Sequence, residues 1–288
     1  MNWLGILVAI IVVVLLFTIY FIWEGNHFVM THYNITIPGV SFQKEHTFLL
    51  VADLHNKQYG ENNEKLIRAI KESEPDVILG AGDFVVSAKG KDTKRAELFL
   101  EQIEGICPVY YGMGNHERKM YENPEWYPEP FSEYEEYMKT LGVHLLRDES
   151  ETFEIEGHKI SVTGLDMERL YYKKLAKIVL PDEYMKSKLG EPDKDSRYRI
   201  LLAHNPEFFK DYAEWGADLV CAGHVHGGIA RLPFLGGVIA PSLKLFPKYD
   251  GGVFEEYGSK MVLSRGLGTH TIPLRFANPP ELVVLHLR

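Results

Sequence analysis

Five short clusters of carboxylate, amide and imidazole side chains occur along the chain, each directly after an apolar run. They are Asp53-Leu54-His55, Gly82-Asp83, Gly114-Asn115-His116-Glu117, His204-Asn205 and Gly223-His224-Val225-His226. Such side chains without a thiolate form a ligand set for divalent Mn, Fe or Zn. One cluster alone is more often solvated or structural than functional. An ordered series of five, however, predicts a metal site.

The spacing inside the clusters points to shared ligands. Residues i and i+2 of an extended backbone point the same way, so we expect Asp53 to converge with His55, and His224 with His226. Neighbouring glycines let the backbone turn sharply and leave space for a ligand. Ligands of an α/β sheet bind at the carboxyl ends of its strands, and all five clusters follow predicted strands.

The elements that position these clusters are predicted from the period of the apolar residues. Apolar runs predict strands at 47–52, 77–81, 109–111, 199–203 and 218–222, and helices are expected at 64–73, 94–104, 130–141 and after Pro206. Alternation over 153–162 predicts an antiparallel hairpin, and 257–263 and 282–287 predict closing strands. We therefore expect an α/β fold with two mixed β-sheets packed as a sandwich with flanking helices.

The N-terminus carries an uncharged apolar segment from Trp3 to Trp23. As a helix it would extend roughly 31 Å, close to the roughly 30 Å of a bilayer's hydrocarbon core. No Lys or Arg precedes it and 21–25 is a poor cleavage site, which disfavours a signal peptide. A core helix would show a polar face, which this segment lacks. The segment predicts a single-pass membrane anchor over 1–24, with the lipid bilayer as partner.

Charge and domain organisation bound the remaining possibilities. The only positive group before the span is the α-amino group, and the first Lys after it is Lys44, which favours the body of the protein on the outer face of the membrane. Residues 25–44 are predicted to be a linker and first strand, and 45–288 a single domain.

The 288 residues carry a net charge of −9, which argues against a nucleic-acid surface. Two cysteines do not fit a Cys-based zinc site, and the oligomeric state stays open.

The five clusters resemble the motifs of the calcineurin-like metallophosphoesterases, over about residues 45–288. Segments 227–233, 241–249, 264–268 and 273–280 are similar to a membrane-anchored bacterial branch that includes phosphodiesterases of the UDP-2,3-diacylglucosamine hydrolase kind. The resemblance implies a four-layer αββα arrangement and a centre of two divalent ions, Mn, Fe or Zn.

The resemblance also implies a role for each cluster residue. One metal would be held by Asp53, His55 and His226, the other by Asn115, His204 and His224, with Asp83 bridging both. Two cations roughly 3.5–4 Å apart can clamp a phosphate and generate the attacking hydroxide near neutral pH. His116 would protonate the leaving alkoxide or stabilise its charge, as general acids do.

One departure from the family pattern affects the catalytic histidine. Many relatives carry Gly-Asp-x-x-Asp followed by Arg-Gly, in which the second Asp orients the catalytic His and the Arg grips phosphate. Here Val86 occupies the orienting position and Ser87 the Arg position. A protein-phosphatase assignment is therefore poor, and what orients His116 is left open. Arg118 is a candidate phosphate contact, with an exposed loop Arg as the alternative.

The sequence thus predicts a membrane-tethered, dinuclear metal-dependent phosphoesterase acting on a phosphodiester or pyrophosphate, with an envelope or lipid-linked substrate. The alternatives are a phosphomonoesterase and a catalytically weak, metal-bound module that binds envelope polymers, for which Val86 is the support. Three loop hypotheses remain. The apolar residues of 229–252 are expected to pack on the core rather than receive an acyl chain. Segment 121–137 is a lid or a solvated acidic insertion, and His270 is a candidate for lining the site.

Overall fold

The chain was analysed as a computed structural model that describes residues 3–173, 178–232, 234–240, 245–269 and 274–288. The described helices are α1 (Trp3–Asn26), α2 (Glu64–Glu72), α3 (Lys94–Ile103), α4 (Asn115–Glu122), α5 (Phe131–Thr140), α6 (Tyr184–Leu189) and α7 (Phe209–Trp215).

Two six-stranded mixed sheets form the centre of the molecule. The first contains β1 (Val29–Ile35), β2 (His46–Val51), β3 (Val77–Gly80), β4 (Val109–Gly112), β5 (Val143–Leu146) and β14 (Glu281–Leu287), in the order β1-β14-β2-β3-β4-β5. Neighbouring strands in it are parallel except for the antiparallel pair β14–β2.

The second sheet has the order β12-β13-β9-β8-β7-β6. Its strands are β6 (Glu149–Ile155), β7 (His158–Gly164), β8 (Tyr198–Leu202), β9 (Leu219–Ala222), β12 (Gly252–Glu256) and β13 (Ser259–Leu263). The end pairs β12–β13 and β6–β7 are antiparallel and the inner pairs are parallel. A short separate hairpin joins β10 (Arg231–Leu232) to β11 (Gly236–Gly237).

The period-2 alternation of β2 shows how the layers are built. Phe48 and Leu50 pack in the core between the two sheets. Leu49 and Val51 point to the other face, where they pack with residues of α2, α3 and α5. On the far side of the second sheet, α6 and α7 cover a third core. This αββα stack confirms the predicted fold class.

Most predicted elements lie within a residue or two of their observed bounds, and several elements had no prediction. Helices α4 and α6 and strands β5 and β12 were not anticipated. Strand β14, one of the predicted closing strands, lies between β1 and β2 in its sheet. The predicted boundaries at 24 and 45 stay predictions, although β1 pairs with β14 over its whole length.

Among the described residues, α1 is the helix long and apolar enough to cross a membrane. Its last turns dock on the body of the protein. The buried Glu24 accepts a hydrogen bond at its Oε1 from the backbone N–H of Asn278 (2.7 Å), and the Tyr20 hydroxyl accepts one from Ala277 (2.8 Å). The helix is therefore joined to the segment that precedes β14.

The expectation that the apolar residues of 229–252 pack on the core is wrong for most of them. The exposed side chains are Leu232, Phe234, Leu235, Leu245 and Phe246. The hairpin is held by polar contacts instead, since the Asp250 carboxylate accepts from Gly237 N–H and pairs with Arg231 (3.2 Å). These contacts fix the backbone without burying the apolar side chains. Leu243 lies outside the described residues.

Candidate metal centre

The five clusters meet where β2, β3, β4, β8 and β9 end, at the carboxyl edge of both sheets. Hydrogen bonds between the loops hold them together, as in Asp53 N to Gly82 O (3.0 Å) and Gly223 N to His204 O (3.1 Å). Five of the seven predicted ligands are buried, and Asn115 and His224 are half-buried. The structure thus brings the predicted ligand residues into one place.

One group of donor atoms surrounds the carboxylate of Asp53. Its Oδ1 lies 3.2 Å from His226 Nε2 and 3.6 Å from His55 Nε2, and the two Nε2 atoms are 3.1 Å apart. His55 Nδ1 faces the Val85 carbonyl at 3.3 Å. A carbonyl accepts only, so this contact favours a proton on Nδ1 and a lone pair on Nε2, which is the form that binds a metal.

A second group surrounds Asp83. Its Oδ2 lies 3.1 Å from His204 Nε2, and the donor atoms of Asp83, His204 and His224 all lie within 4.8 Å of one another. His204 Nδ1 donates to the Ala81 carbonyl at 2.6 Å, which again directs the Nε2 lone pair inward. Asp83 Oδ2 is also 3.9 Å from His55 Nε2, so this carboxylate lies between the two groups.

Asn115 provides a test of whether a cation fits. Its Oδ1 is buried and has no hydrogen-bond partner among the residues that the structure describes. A buried acceptor without a partner costs about 1–3 kcal/mol. Asn115 lines the same cavity as His55, and a cation bound there would satisfy its amide oxygen, so the residues present fit a metal group.

The backbone that carries these residues is left-handed rather than extended. The φ angles are positive at Asp53 (51°), His55 (48°), Asp83 (58°), His224 (72°) and His226 (52°). Such values are uncommon outside glycine and cluster at functional sites. The i, i+2 argument from extended strands is therefore wrong in its geometry. Asp53 and His55 converge through a tight turn, and His224 and His226 face different carboxylates.

Two glycines leave the space that the carboxylates occupy. A Cβ on Gly114 would lie 2.2 Å from Asp83 Oδ1, and one on Gly223 would lie 2.5 Å from Asp53 Oδ2. No side chain fits at either position, so each motif glycine permits the close approach of backbone to a candidate ligand.

The pKa shifts reflect the pairing of buried acids with imidazoles. Burial lowers the pKa of His204, but the carboxylates of Asp83 and Asp53 outweigh burial and raise the pKa to about 10. Burial opposes ionisation of Asp83, yet His204 and His116 hold the pKa of that carboxyl below its usual range. The carboxylates are thus ionised at neutral pH, whereas His204 must lose a proton to bind a cation.

Ser87 supplies the contact that orients His116. Its backbone N–H donates to His116 Nδ1 at 2.8 Å, and its hydroxyl Oγ lies 3.1 Å from the same atom. A backbone N–H can only donate, so Nδ1 is the acceptor and the proton of the neutral ring sits on Nε2. That Nε2 lies 3.9 Å from Asp83 Oδ2, on the side of the candidate ligands.

Glu117 is a site residue that sequence reasoning missed. It is fully buried and accepts hydrogen bonds from Asp83 N (2.9 Å), Gly114 N (3.0 Å) and the Tyr111 hydroxyl (2.6 Å). Burial and the charge of Asp83 raise its pKa to about 7. The carboxylate fixes the Asp83 loop to the start of α4. Its place in Gly-Asn-His-Glu was the available signal.

A cavity of about 580 Å³ opens over the donor groups and is lined by cations as well as by ligands. His55, Asn115 and His116 form part of its wall, together with Lys119, Arg169 and Lys173. Lys119 Nζ also donates to the Ser87 carbonyl at 2.8 Å, which joins it to the His116 contact. The wall therefore presents positive charge to an anion bound at the candidate centre.

Two hypotheses about the cavity find no support. Arg118 is directed to Glu122 and Asp166 (both 2.8 Å) and is not among the described residues that line the cavity. Segment 121–137 is not a lid, because Tyr127, Phe131 and Tyr134 are buried in the core beside the first sheet. His270 lies outside the described residues.

Comparisons with known proteins agree with this geometry. Residues 46–228 match the family of calcineurin-like phosphoesterases. The uncharacterized metallophosphoesterase YkuE of Bacillus subtilis (strain 168) is 26% identical over 249 residues, covering 82% of this chain and 77% of that protein. The phosphodiesterase YaeI of Escherichia coli (strain K12) is 24% identical over 243 residues, covering 83% and 81%.

A solved structure, the phosphopantetheinyl hydrolase PptH of Mycobacterium tuberculosis, is similar with a TM-score of 0.47 and 14% identity, covering 76% of this chain and 88% of that one. The family match spans well over half of the chain and contains all five clusters. The chain belongs to the calcineurin-like phosphoesterase family, and it is a metal-dependent phosphoester hydrolase whose clustered His and Asp side chains are able to hold metal ions.

Proposed function

We propose that this chain hydrolyses a phosphodiester or pyrophosphate bond at a dinuclear metal centre, on a substrate at the membrane. The observation that carries the proposal is the convergence of two donor groups on either side of Asp83. One cation would be held by Asp53, His55 and His226. The other would be held by Asn115, His204 and His224, and Asp83 would contact both cations. Two bound divalent cations supply charge neutralisation and activation of water in an in-line displacement.

His116 is the proposed general acid. Its Nδ1 is committed to Ser87, so the proton on Nε2 faces the side of the site where the leaving oxygen would be. A histidine in this position provides the leaving alkoxide with a proton. The contact from Ser87 also weakens the alternative of a catalytically weak, metal-bound module, for which Val86 was the support.

The cations of the cavity wall favour a substrate with more than one negative group. Lys119, Arg169 and Lys173 lie around the same cavity as His116 and Asn115. A cleaved phosphate would be bound by the metal centre, so these side chains would contact a second phosphate or a further acidic group. In the protein alone, Lys119 donates to the Ser87 carbonyl and Arg169 lies 3.4 Å from Glu122, and an anion would compete for both contacts. The name of the relative YaeI, a phosphodiesterase, agrees with a diester preference.

The membrane location is proposed from α1, with the catalytic domain on the outer face. The buried link between Glu24 and Asn278 holds the body close to the end of this helix. Asn278 Nδ2 donates to the carbonyls of His226 and Gly228, both at 2.7 Å. The loop with two candidate ligands is thus joined to the proposed anchor through one residue, which favours an envelope or lipid-linked substrate.

The test uses the full-length protein in detergent, with its metal content measured by mass spectrometry. Hydrolysis of bis-p-nitrophenyl phosphate is compared with that of p-nitrophenyl phosphate in the presence of Mn²⁺. We expect faster turnover of the diester, abolished in Asp83→Asn and retained in His158→Ala, which changes the half-exposed first residue of β7. Two bound metals with no turnover of any phosphoester would contradict the proposal.

A further inference from the structure

An exposed apolar surface lies beside the end of helix α1. Four chain segments form a small layer there, through the hydrogen bonds Arg231 N to Phe276 O, Val238 N to Ala230 O and Phe246 N to Val238 O, each 2.9 Å. The exposed side chains carried by this layer and its hairpin are Leu232, Phe234, Leu235, Leu245, Phe246 and Phe276, here called the apolar patch.

The apolar patch has no cover among the described residues. The Phe234 ring is fully exposed at the β10–β11 turn, Leu245 is 66% exposed and Leu235 is 61% exposed. Soluble surfaces seldom leave several large apolar side chains together in water, and patches of this kind mark contacts with proteins or membranes. The patch therefore requires an occupant.

The contact of Phe276 with helix α1 indicates what the apolar patch contacts. The Phe276 ring lies 5.6 Å from the ring of Tyr20 and 6.4 Å from that of Phe21. With Leu16 and Phe17 it lines an open apolar cavity of about 350 Å³. These helix residues belong to the uncharged segment that ends at Trp23, and Phe17 precedes that end by roughly 9 Å at about 1.5 Å per residue.

Phe276 therefore lies at the height of the last two turns of the proposed span. When α1 crosses a bilayer, this part of the body is at the level of the interfacial layer, where aromatic side chains are favoured. The Glu24–Asn278 hydrogen bond fixes that height, because Asn278 is two residues from Phe276 and buried. The rest of the patch is joined to Phe276 by the backbone bonds of the layer.

We propose that the apolar patch is a second membrane contact, inserted in the interfacial layer of the same bilayer that α1 crosses. The patch follows the Gly223–His226 loop in the chain, so its insertion holds the candidate metal centre near the headgroups. A substrate whose phosphoester lies at headgroup level would then reach the site without leaving the membrane. The proposal depends on the proposed span and not on the proposed reaction.

The experiment places a nitroxide label on the full-length protein in liposomes of phosphatidylcholine and phosphatidylglycerol. Three cysteine variants are compared: Phe234→Cys in the patch, Val13→Cys in α1, and Glu136→Cys on α5. Glu136 is a suitable aqueous reference because its side chain is 73% exposed and α5 packs on β5, at the opposite edge of the first sheet from β1. Unsubstituted protein gives the background labelling of Cys107 and Cys221.

The readout is the collision rate of each label with oxygen, which concentrates in lipid, relative to a water-soluble nickel chelate. We expect this ratio at Phe234→Cys to be severalfold above that at Glu136→Cys and to approach that at Val13→Cys. If the ratio at Phe234→Cys is as low as that at Glu136→Cys while the ratio at Val13→Cys is high, the patch contact is overturned and the span is left intact. If the ratios at Phe234→Cys and Val13→Cys are both low, the span is overturned as well.

A label that becomes shielded from both reagents would place the patch against another protein copy and would also overturn the proposal. Thermal unfolding of each labelled variant shows that it is folded. The result holds whether or not a phosphodiester is cleaved, so it is independent of the reaction assigned above.

Discussion

His116 and Ser87 form the contact on which the proposed proton transfer depends. The 2.8 Å hydrogen bond from the Ser87 backbone gives the ring one orientation and one tautomer, with Nε2 protonated. Sequence comparison alone suggested that the orienting group was missing, since an Asp is replaced by Val86. The backbone N–H of Ser87 positions the His116 ring instead. A sequence motif cannot reveal this donor, because every residue except proline carries a backbone N–H.

Replacing His116 tests the proposed general acid. In His116→Ala we expect the turnover of bis-p-nitrophenyl phosphate to fall by roughly 10²–10⁴, the usual contribution of general acid catalysis. Metal content should be retained, because His116 is not in the proposed ligand set. Kinetics and metal analysis of the same preparation check both statements. Loss of metal in this variant would show that His116 is a ligand instead.

Ser87→Ala removes the hydroxyl and keeps the backbone N–H. We expect kcat to fall by only about 2- to 12-fold, since one hydrogen bond contributes a net of about 0.5–1.5 kcal/mol. KM should change little, as the side chain orients His116 and not the substrate. A loss as large as that of His116→Ala would mean that the 3.1 Å Oγ contact, rather than the N–H, positions the ring.

His204 makes the stability of the metal-free protein depend on pH in a specific direction. Its pKa in the fold is about 10, against roughly 6.5 unfolded, so its stabilisation is complete below pH 6.5 and is lost as pH rises through 10. In EDTA the melting temperature should therefore fall over this window. With Mn²⁺ the stabilisation by metal should grow over the same window, because binding requires the neutral imidazole.

The control for this pH dependence is a histidine outside the cluster. His158→Ala should keep the decline in EDTA, whereas His204→Asn should flatten it. A metal-free protein whose melting temperature is level from pH 7 to 10 would contradict the assigned pairing of His204 with Asp83.

At the scale of elements, the loops after the strands and the segment before β14 determine the site. Asn278 is the joint between them, since its side chain donates to the carbonyls of His226 and Gly228 and its N–H to Glu24. Asn278→Ala should cost about 1–3 kcal/mol for each buried carbonyl left unpaired. We expect a lower melting temperature and weaker retention of Mn²⁺ on dialysis.

Asn34→Ala is the matched control, because Asn34 is an exposed amide on β1. It should leave both the melting temperature and the metal content close to those of the unsubstituted protein. Full metal retention in Asn278→Ala, despite a lower melting temperature, would show that Asn278 stabilises the fold without positioning His226.

The strands and the position of the clusters could be predicted because they depend on local composition. The apolar run before Asp53 makes a buried strand in any α/β protein, and parallel strands bring their carboxyl ends to one edge. The left-handed backbone at Asp53 and His226 could not be predicted, since it depends on the pairing of neighbouring loops. The role of Glu117 depends on contacts between the Asp83 loop and the segment 111–117, which meet only in the fold.

The exposed hairpin was missed for a different reason. Apolar residues are usually buried, so Phe234 and Leu245 were expected in the core. That rule assumes water on every side of the molecule. Under the proposed membrane contact the rule fails, because a bilayer crossed by α1 would be a second solvent for these side chains.

At the scale of the whole molecule, the protein carries a net charge of −9, yet the cavity over the candidate centre is lined by cations. Acidic side chains also lie elsewhere on the surface, such as Glu136 on α5, which pairs with Lys139 (2.8 Å). Two divalent cations would add four positive charges at the cavity floor. Overall charge therefore disfavours nucleic acid while the local field attracts a compact anion.

This distribution of charge predicts for which substrates KM rises most when a cation of the cavity wall is replaced. Alanine at Lys119, Arg169 or Lys173 should raise KM for a pyrophosphate diester such as ADP-ribose by about tenfold or more, from about 1.5–3 kcal/mol per hydrogen bond to a charged group. KM for bis-p-nitrophenyl phosphate, which has no second charge, should change much less.

Lys139→Ala on α5 is the control and should affect neither substrate. Added salt should narrow the difference between the substrates because it screens the exposed part of the wall. Equal losses for both substrates would mean that these cations hold the reacting phosphate itself, and that the second anionic group has another site.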